Sequence, residues 1–159
     1  WSSDVCSSDL LAGLTREAQL KILELTAGKV ATIFDSSMGF RHGPKSFINE
    51  KTIMFGFVNN TPYTRDYDLD ILEEVHGDEI AAGVFAIAQP GKRNFSGSTI
   101  EYSAETALLP DGYLALADIM VAQTVALLTS IKVGNKPDTP SPTGTVNRVV
   151  KGVTIYDYK

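Results

Sequence analysis

Two short and almost wholly apolar runs, TIMFGFV at 52–58 and AAGVFAIA at 81–88, stand one helical segment apart. A strand that is apolar at nearly every position is buried on both faces, and sheets covered on both faces by helices are parallel ones. The pattern extends outward from that pair. Residues 11–27 read as a helix, because Leu11, Leu14, Ala18, Ile22 and Leu25 recur at spacings of three and four and Gly28 follows as a stop. Glu17, Lys21 and Glu24 share a second face of it. KVATIF is a short strand, and SSMGFRHGPKS a turn-rich connection with room for a helical turn. Pro62 introduces a helix over about 64–75, STIEYS is a short strand, and 112–133 form the closing helix. Strands alternating with helices predict an α/β fold: a three-layer αβα sandwich on a parallel, flavodoxin-like sheet. Ligands then bind beyond the carboxyl ends of the strands. The chain enters on a helix, and the segment before it, WSSDVCSSDL, has no helical or alternating period. The sheet is therefore expected to lack its first strand.

At 159 residues, 43% hydrophobic and 21% charged, this is one soluble domain's worth of chain. A net charge of −5 argues against nucleic acid and anionic membrane as partners. Tyr113 to Val133 is apolar enough to raise the question of a membrane span. Asp118, Gln123 and Lys132 within it, and its place in the α/β order, predict a buried core helix instead. The lone Cys6 cannot form an internal disulfide, which points to a reducing cytoplasm. Two histidines and one cysteine without ligand spacing give no metal site, and no nucleotide or nucleophile-elbow motif is present, so no cofactor is expected.

FRHGPKS, 40–46, is the most unusual stretch: His42 between Arg41 and Lys45, with Gly43 and Pro44 fixing a turn. An imidazole there is suited to moving protons, and a solvated basic turn is the plainer reading. His76 reads as a helix-end histidine near the last carbonyls. Glu17 is either a general base or an ordinary surface carboxylate, and Lys151 carries no signal of its own. Asn59, Asn60 and Thr61 follow a strand end, where a phosphate could be gripped, although polar residues are common in any α/β loop.

Three blocks are more specific. REAQLKILELTAGKVATIFDSSMGFRHGPKSFINEKT, NNTPYTRDYDLDIL and PDTPSPTGTVNRVVKGVTIY resemble the second sugar-isomerase (SIS) domain of the tagatose-6-phosphate ketose/aldose isomerase family, itself similar to the galactosamine-6-phosphate deaminase/isomerases. The resemblance covers residues 11–159 and, more distantly, extends to the isomerase half of glucosamine-6-phosphate synthase. It implies a hexose or hexosamine 6-phosphate as substrate. It implies Glu17 as the carboxylate that shuttles a proton between C1 and C2, His42 as the group that assists ring opening, and Lys151 as a tail lysine reaching over the substrate. Lys21 and Arg41 are implied helpers through charge. A sugar-phosphate-sensing SIS domain of a transcriptional regulator is the alternative. A sensor needs the Ser-rich phosphate loop and not the Glu17–His42–Lys151 set, and here VNNTPYT stands where that loop belongs, so the enzyme is favoured.

The resemblance starts abruptly at residue 10 or 11. WSSDVCSSDL, in which Ser-Ser-Asp occurs twice, resembles translated sequencing-adapter sequence. The expected organisation is a non-native segment 1–10 that adds nothing to the core, a truncated second SIS domain 11–134 and a tail 135–159. A missing N-terminal SIS domain would hold the phosphate, and the parent would be a homo-oligomer.

Overall fold

The structure, a computed structural model, describes residues 1–103, 109–146 and 152–158. Its elements are β1 (Ser2–Ser7), α1 (Ala12–Leu25), β2 (Ala31–Ser36), α2 (Ser37–His42), β3 (Thr52–Phe57), α3 (Pro62–Gly77), β4 (Gly83–Ala88), β5 (Ser98–Glu101) and α4 (Asp111–Lys132). The five strands are all parallel, in the order β2-β1-β3-β4-β5. That is the flavodoxin-like order, with its reversal between β1 and β3. SSMGFRHGPKS folds as the six-residue α2 and a single 3-10 turn over Pro44–Phe47.

Alternation along the strands sends side chains to two cores. Val5, Phe57 and Ile87 meet Leu11, Leu14 and Ala18 from the α1 side and Ala122 of α4 on one face. Cys6, Met54, Val84 and Ala86 meet Phe40 of α2 and Leu69, Leu72 and Val75 of α3 on the other. Gly56 is required at that second contact, because a Cβ there would lie 2.8 Å from the Leu72 methyl groups. Its absence lets α3 sit down on the centre of the sheet.

Two sequence expectations are corrected. Residues 1–10 are not outside the core, and the sheet does not lack its first strand. Ser2–Ser7 form β1, buried along its length, paired with β2 on one side and β3 on the other. A side-chain period is blind to this, because strand pairing is made by backbone N–H and C=O groups. The facing edges of β2 and β3 need such partners whatever the side chains are. The composition still leaves marks. Asp4 has no exposed surface, and neither of its carboxylate oxygens has a hydrogen-bond partner. Asp9, in the turn into α1, takes φ +51°, the left-handed region that favours glycine.

A further correction concerns the closing helix, which is not a core helix. α4 buries a narrow strip, Leu114, Asp118, Ala122, Ala126 and Ser130, against the rest of the fold. Its large side chains, Tyr113, Leu116, Met120, Leu127, Leu128 and Ile131, face outward. Small residues four apart allow α4 to lie close on α1, and the bulk is displaced to the opposite side. α4 is the one described helix long and apolar enough to cross a membrane by length and composition.

Burial pushes the Asp4 carboxyl from its ordinary 3.8 up to about 7. The folded chain therefore keeps a proton that the unfolded chain has released. The contribution of Asp4 to stability should be full below about pH 4, decline as the pH rises toward about 7 and level off above it, by on the order of 4 kcal/mol. Asp4→Val should raise the thermal midpoint at pH 8 and remove most of that decline. Asp118, which burial raises to about 6 against the opposing hydrogen bond from Tyr102, adds a decline of its own between about pH 4 and 6 that persists in the variant. Deleting residues 1–10 should abolish the cooperative thermal transition, and a shortened chain with an unchanged midpoint would show that β1 is dispensable.

Candidate functional site

The carboxyl ends of β1 and β3, where the strand order reverses, are tied together by Asp68 on the inner face of α3. Its Oδ1 accepts from Ser37 Oγ at 2.5 Å, and its Oδ2 accepts from the Asn59 backbone N at 3.1 Å and from Asn59 Nδ2 at 2.7 Å. Asn59 Nδ2 also donates to the Ser8 carbonyl at 2.9 Å. Ser7 Oγ donates to the Phe57 carbonyl at 2.6 Å. One carboxylate thus fixes the end of β3 to the starts of α2 and α3, and through Asn59 to the turn after β1.

Arg65, one turn earlier on α3, clamps the neighbouring ends. Its Nε donates to the Arg93 carbonyl at 2.8 Å, Nη1 to the Asn59 carbonyl at 3.2 Å, and Nη2 to the Gln89 carbonyl at 3.0 Å and to Asn94 Oδ1 at 2.9 Å. A Cβ on Gly91 would sit 2.8 Å from this guanidinium, so the 89–94 loop can close over it only with glycine there. Burial pulls the Arg65 pKa below its ordinary value, opposed by Asp68 first and Asp111 second. Two orphaned groups lie in the same region: Asn59 Oδ1 and Gln89 Nε2 are buried without partners.

The residues expected from the sequence are distributed around this knot. Asn59 has no exposed surface and is spent on internal bonds. Asn60 donates from its backbone to Asp111 Oδ1 at 2.9 Å, and its amide donates to Gln89 Oε1 and to the Leu109 carbonyl. Thr61 is exposed at the start of α3, where its carbonyl accepts from the Arg65 backbone N at 2.9 Å. Glu17, side chain 46% exposed, lies on the outer side of α1 at 3.1 Å from Lys21 Nζ. Lys21 also reaches Glu24 at 3.1 Å, and the bonds to Glu24 and then Glu17 hold its ammonium above its ordinary pKa. His42 is exposed at the end of α2. Its neighbours are anchored to α3: Arg41 to Glu74 at 2.9 Å, and Lys45 to Glu74 at 2.5 Å and Asp78 at 2.6 Å. His76 packs edge-on against Phe95, ring centroids 5.5 Å apart. Lys151 lies outside the described residues.

Glu17 and His42 are not brought together. They sit on helices that cover opposite faces of the sheet, and no hydrogen bond or ion pair joins them among the described residues. A cavity of about 70 Å³ exists at the amino-terminal edge, lined by Trp1, Ser3, Ile53, Val125 and Lys132 among others, and none of the expected site residues touches it. Sequence reasoning gave no role to Arg65, Asp68, Gln89 or Asp111. A signal for two of them was available: Arg65 and Asp68 fall on the apolar stripe that continues through Leu69, Leu72 and Val75, where an unexplained charge has to be satisfied internally.

Arg65→Met would leave three carbonyls and the Asn94 amide oxygen without their donor. A loss on the order of 3 kcal/mol is expected, with faster tryptic cleavage after Lys92 and Arg93. Arg65→Lys should not rescue it, since an ammonium cannot reproduce the fork. A variant that melted and resisted trypsin like the parent would remove Arg65 as the clamp.

No protein-family model matches the chain. It is 48% identical over 155 residues to the D-galactosamine-6-phosphate deaminase AgaS of Escherichia coli O157:H7, covering 94% of this chain and 39% of that protein. The AgaS deaminase of Shewanella sp. strain ANA-3 is 38% identical over 148 residues, covering 93% and 36%. The crystal structure of tagatose-6-phosphate ketose/aldose isomerase from Escherichia coli superposes with a TM-score of 0.84 at 39% identity, covering 99% of this chain and 40% of that one. The C-terminal domain of glucosamine-fructose-6-phosphate aminotransferase from Francisella tularensis shares the fold, with a TM-score of 0.68 at 18% identity. The chain spans about two-fifths of the length of the curated relatives it matches. Over that stretch it is a close homologue of proteins named as galactosamine-6-phosphate deaminases and of a tagatose-6-phosphate ketose/aldose isomerase.

Proposed function

We propose that this chain is the half of a sugar-phosphate aldose/ketose isomerase or deaminase-isomerase that supplies the proton-transferring groups. Its substrate is a hexose or hexosamine 6-phosphate. The observation that carries this is 48% identity over 155 residues to a protein named as a galactosamine-6-phosphate deaminase. Glu17 is the base: its carboxylate removes a proton from C2 of the open-chain aldose, the C2–H electron pair becomes the C1=C2 bond, and the C1 carbonyl oxygen takes up a proton, giving the enediol, or the enolamine where nitrogen is present, whose O2–H or N–H proton is lost as C1 is protonated. The same carboxylic acid returns the proton to C1. With galactosamine 6-phosphate the resulting C2 imine adds water and releases ammonia. His42 moves protons between the ring oxygen and O1 as the hemiacetal opens, and a nearby cation, Lys21 or Arg41, steadies the developing oxyanion. Lys151 closes over the substrate from the tail.

In this reading the phosphate is held elsewhere, by a second SIS domain. Asn59 and Asn60 support that assignment, because their amides are committed to Ser8, Asp68, Gln89 and Leu109. The opposite placement of Glu17 and His42 favours a complete site assembled from more than one domain or subunit.

The test is a chimera in which residues 11–159 replace the aligned segment of the Escherichia coli O157:H7 deaminase. Ammonia release from galactosamine 6-phosphate is the expected result. Glu17→Gln in that chimera should slow exchange of the C2 proton with solvent deuterium by about 10²–10⁴-fold while leaving substrate affinity unchanged. His42→Asn should slow cyclic substrate more than an open-chain analogue. Unchanged exchange in Glu17→Gln would remove Glu17 as the base.

A further inference from the structure

We propose that Glu74 of α3 is the positioning residue for the His42 imidazole: its carboxylate clasps the connection on both sides of that residue and so sets where the ring stands. The inference rests on the reading of His42 as the ring-opening group. His42 is exposed at the end of α2, and its side chain makes no hydrogen bond or ion pair among the described residues. The ring is therefore placed by the backbone that carries it. A helix of six residues is too short to hold that backbone by itself.

Residues 41–45 are tied to α3 through two carboxylates. Arg41 Nη2, just before His42, reaches Glu74 Oε2 at 2.9 Å. Lys45 Nζ, three residues after it, reaches Glu74 Oε1 at 2.5 Å and Asp78 Oδ2 at 2.6 Å. Each oxygen of Glu74 thus takes one cation, and the two cations bracket His42, Gly43 and Pro44. The bonds to Asp78 and then Glu74 hold the Lys45 ammonium above its ordinary pKa, so this arm stays charged at neutral pH. Inside the bracket the chain has little freedom. Pro44 fixes its own φ, and the Gly43 carbonyl accepts from the Ser46 backbone N at 3.0 Å and from Ser46 Oγ at 2.8 Å. Phe40, on the other flank, is fully buried in the core under α2 and α3. Glu74 itself stands on a helix seated on the sheet through Leu69, Leu72 and Val75. The basic run is not a free anion site, because Arg41 and Lys45 are matched by Glu74 and Asp78. Partly exposed ion pairs add little to global stability. The consequence of the clasp is geometric: a reacting group displaced by about 1 Å costs on the order of 10²-fold in rate.

In the deaminase chimera, Glu74→Gln should slow turnover of cyclic galactosamine 6-phosphate by about 10–100-fold. Turnover of an open-chain analogue, and exchange of its C2 proton with solvent deuterium, should be unchanged. Glu74→Asp, which keeps the charge, should recover part of the loss. Lys45→Gln should also slow the cyclic substrate, and adding it to Glu74→Gln should cost little more, because both act through one clasp. Glu73→Gln is the same charge change on the neighbouring residue, which bonds Ser96 instead, and it should leave the ratio of cyclic to open-chain rates as in the parent. In the 159-residue chain, the amides of Ser46 and Ile48, which donate to Gly43 and Lys45, should exchange with deuterium faster in Glu74→Gln while those of β3 keep their protection. That measurement does not depend on what His42 does. His42→Asn slowing both substrates alike would overturn the reading of His42 and the inference with it. A selective His42→Asn beside a Glu74→Gln that matches the parent, or that slows both substrates equally, would overturn the positioning role alone. Unchanged exchange at Ser46 and Ile48 would overturn it too.

Discussion

The molecule is built out from the backbone pairing of six residues. β1 lies at the middle of the parallel sheet, and its peptide groups close the gap between β2 and β3. Without it the two flanking strands share no ladder. The core between the sheet and α1 would then lose Val5, and the core under α2 and α3 would lose Cys6. What the strand contributes is therefore mostly not its side chains. Serines and a cysteine are small enough to fit under the helices, and Asp4 is an unpaired buried carboxyl whose pKa burial pushes up to about 7. The same substitution of backbone geometry for suitable chemistry recurs at Asp9, an aspartate held at a positive φ where glycine is the natural residue.

At the other end of the strands the constraint is polar and fully directional. Asp68 and Arg65, one helical turn apart, gather the ends of β3 and β4, the turn after β1 and the start of α2 into one hydrogen-bonded knot. Charges buried this way are a weak source of net stability and a strong source of geometry, because each has only one arrangement in which all its bonds are made. The knot fixes the loops that would border a ligand. It also consumes the amides of Asn59 and Asn60, which leaves Thr61 as the exposed member of that trio. The basic connection carrying His42 is anchored separately, by Arg41 and Lys45 on Glu74 and Asp78, which leaves the imidazole exposed at a fixed corner of the fold.

The residues with chemical potential and the largest apolar surface both point outward. Glu17 lies on the open side of α1, His42 on the far side of the sheet, and the exposed apolar side chains of α4 on a third surface. A single sheet covered by helices on both faces separates what those helices carry.

The sequence by itself determined the element types and their order. Near-continuous apolar runs force two-faced burial, a spacing of three and four forces helix 11–27, and strand–helix alternation forces a parallel sheet. The pairing of Glu17 and Glu24 with Lys21 was likewise legible from spacing, because it is local to one helix. Everything that depends on sequence-distant partners was decided only in the tertiary structure. β1 was invisible because its place is set by the ladders of β2 and β3 and not by its own side chains. The inverted face of α4 was invisible because its composition matches a core helix, and only contact with α1 reveals which side is covered. Arg65 and Asp68 drew no reading at all, since their partners lie in loops that hydropathy does not place. Asn59 was read as a surface ligand residue, and the fold closed around it. Local periodicity reports what one element needs; burial and hydrogen bonding are properties of pairs, and they exist only once the pairs have met.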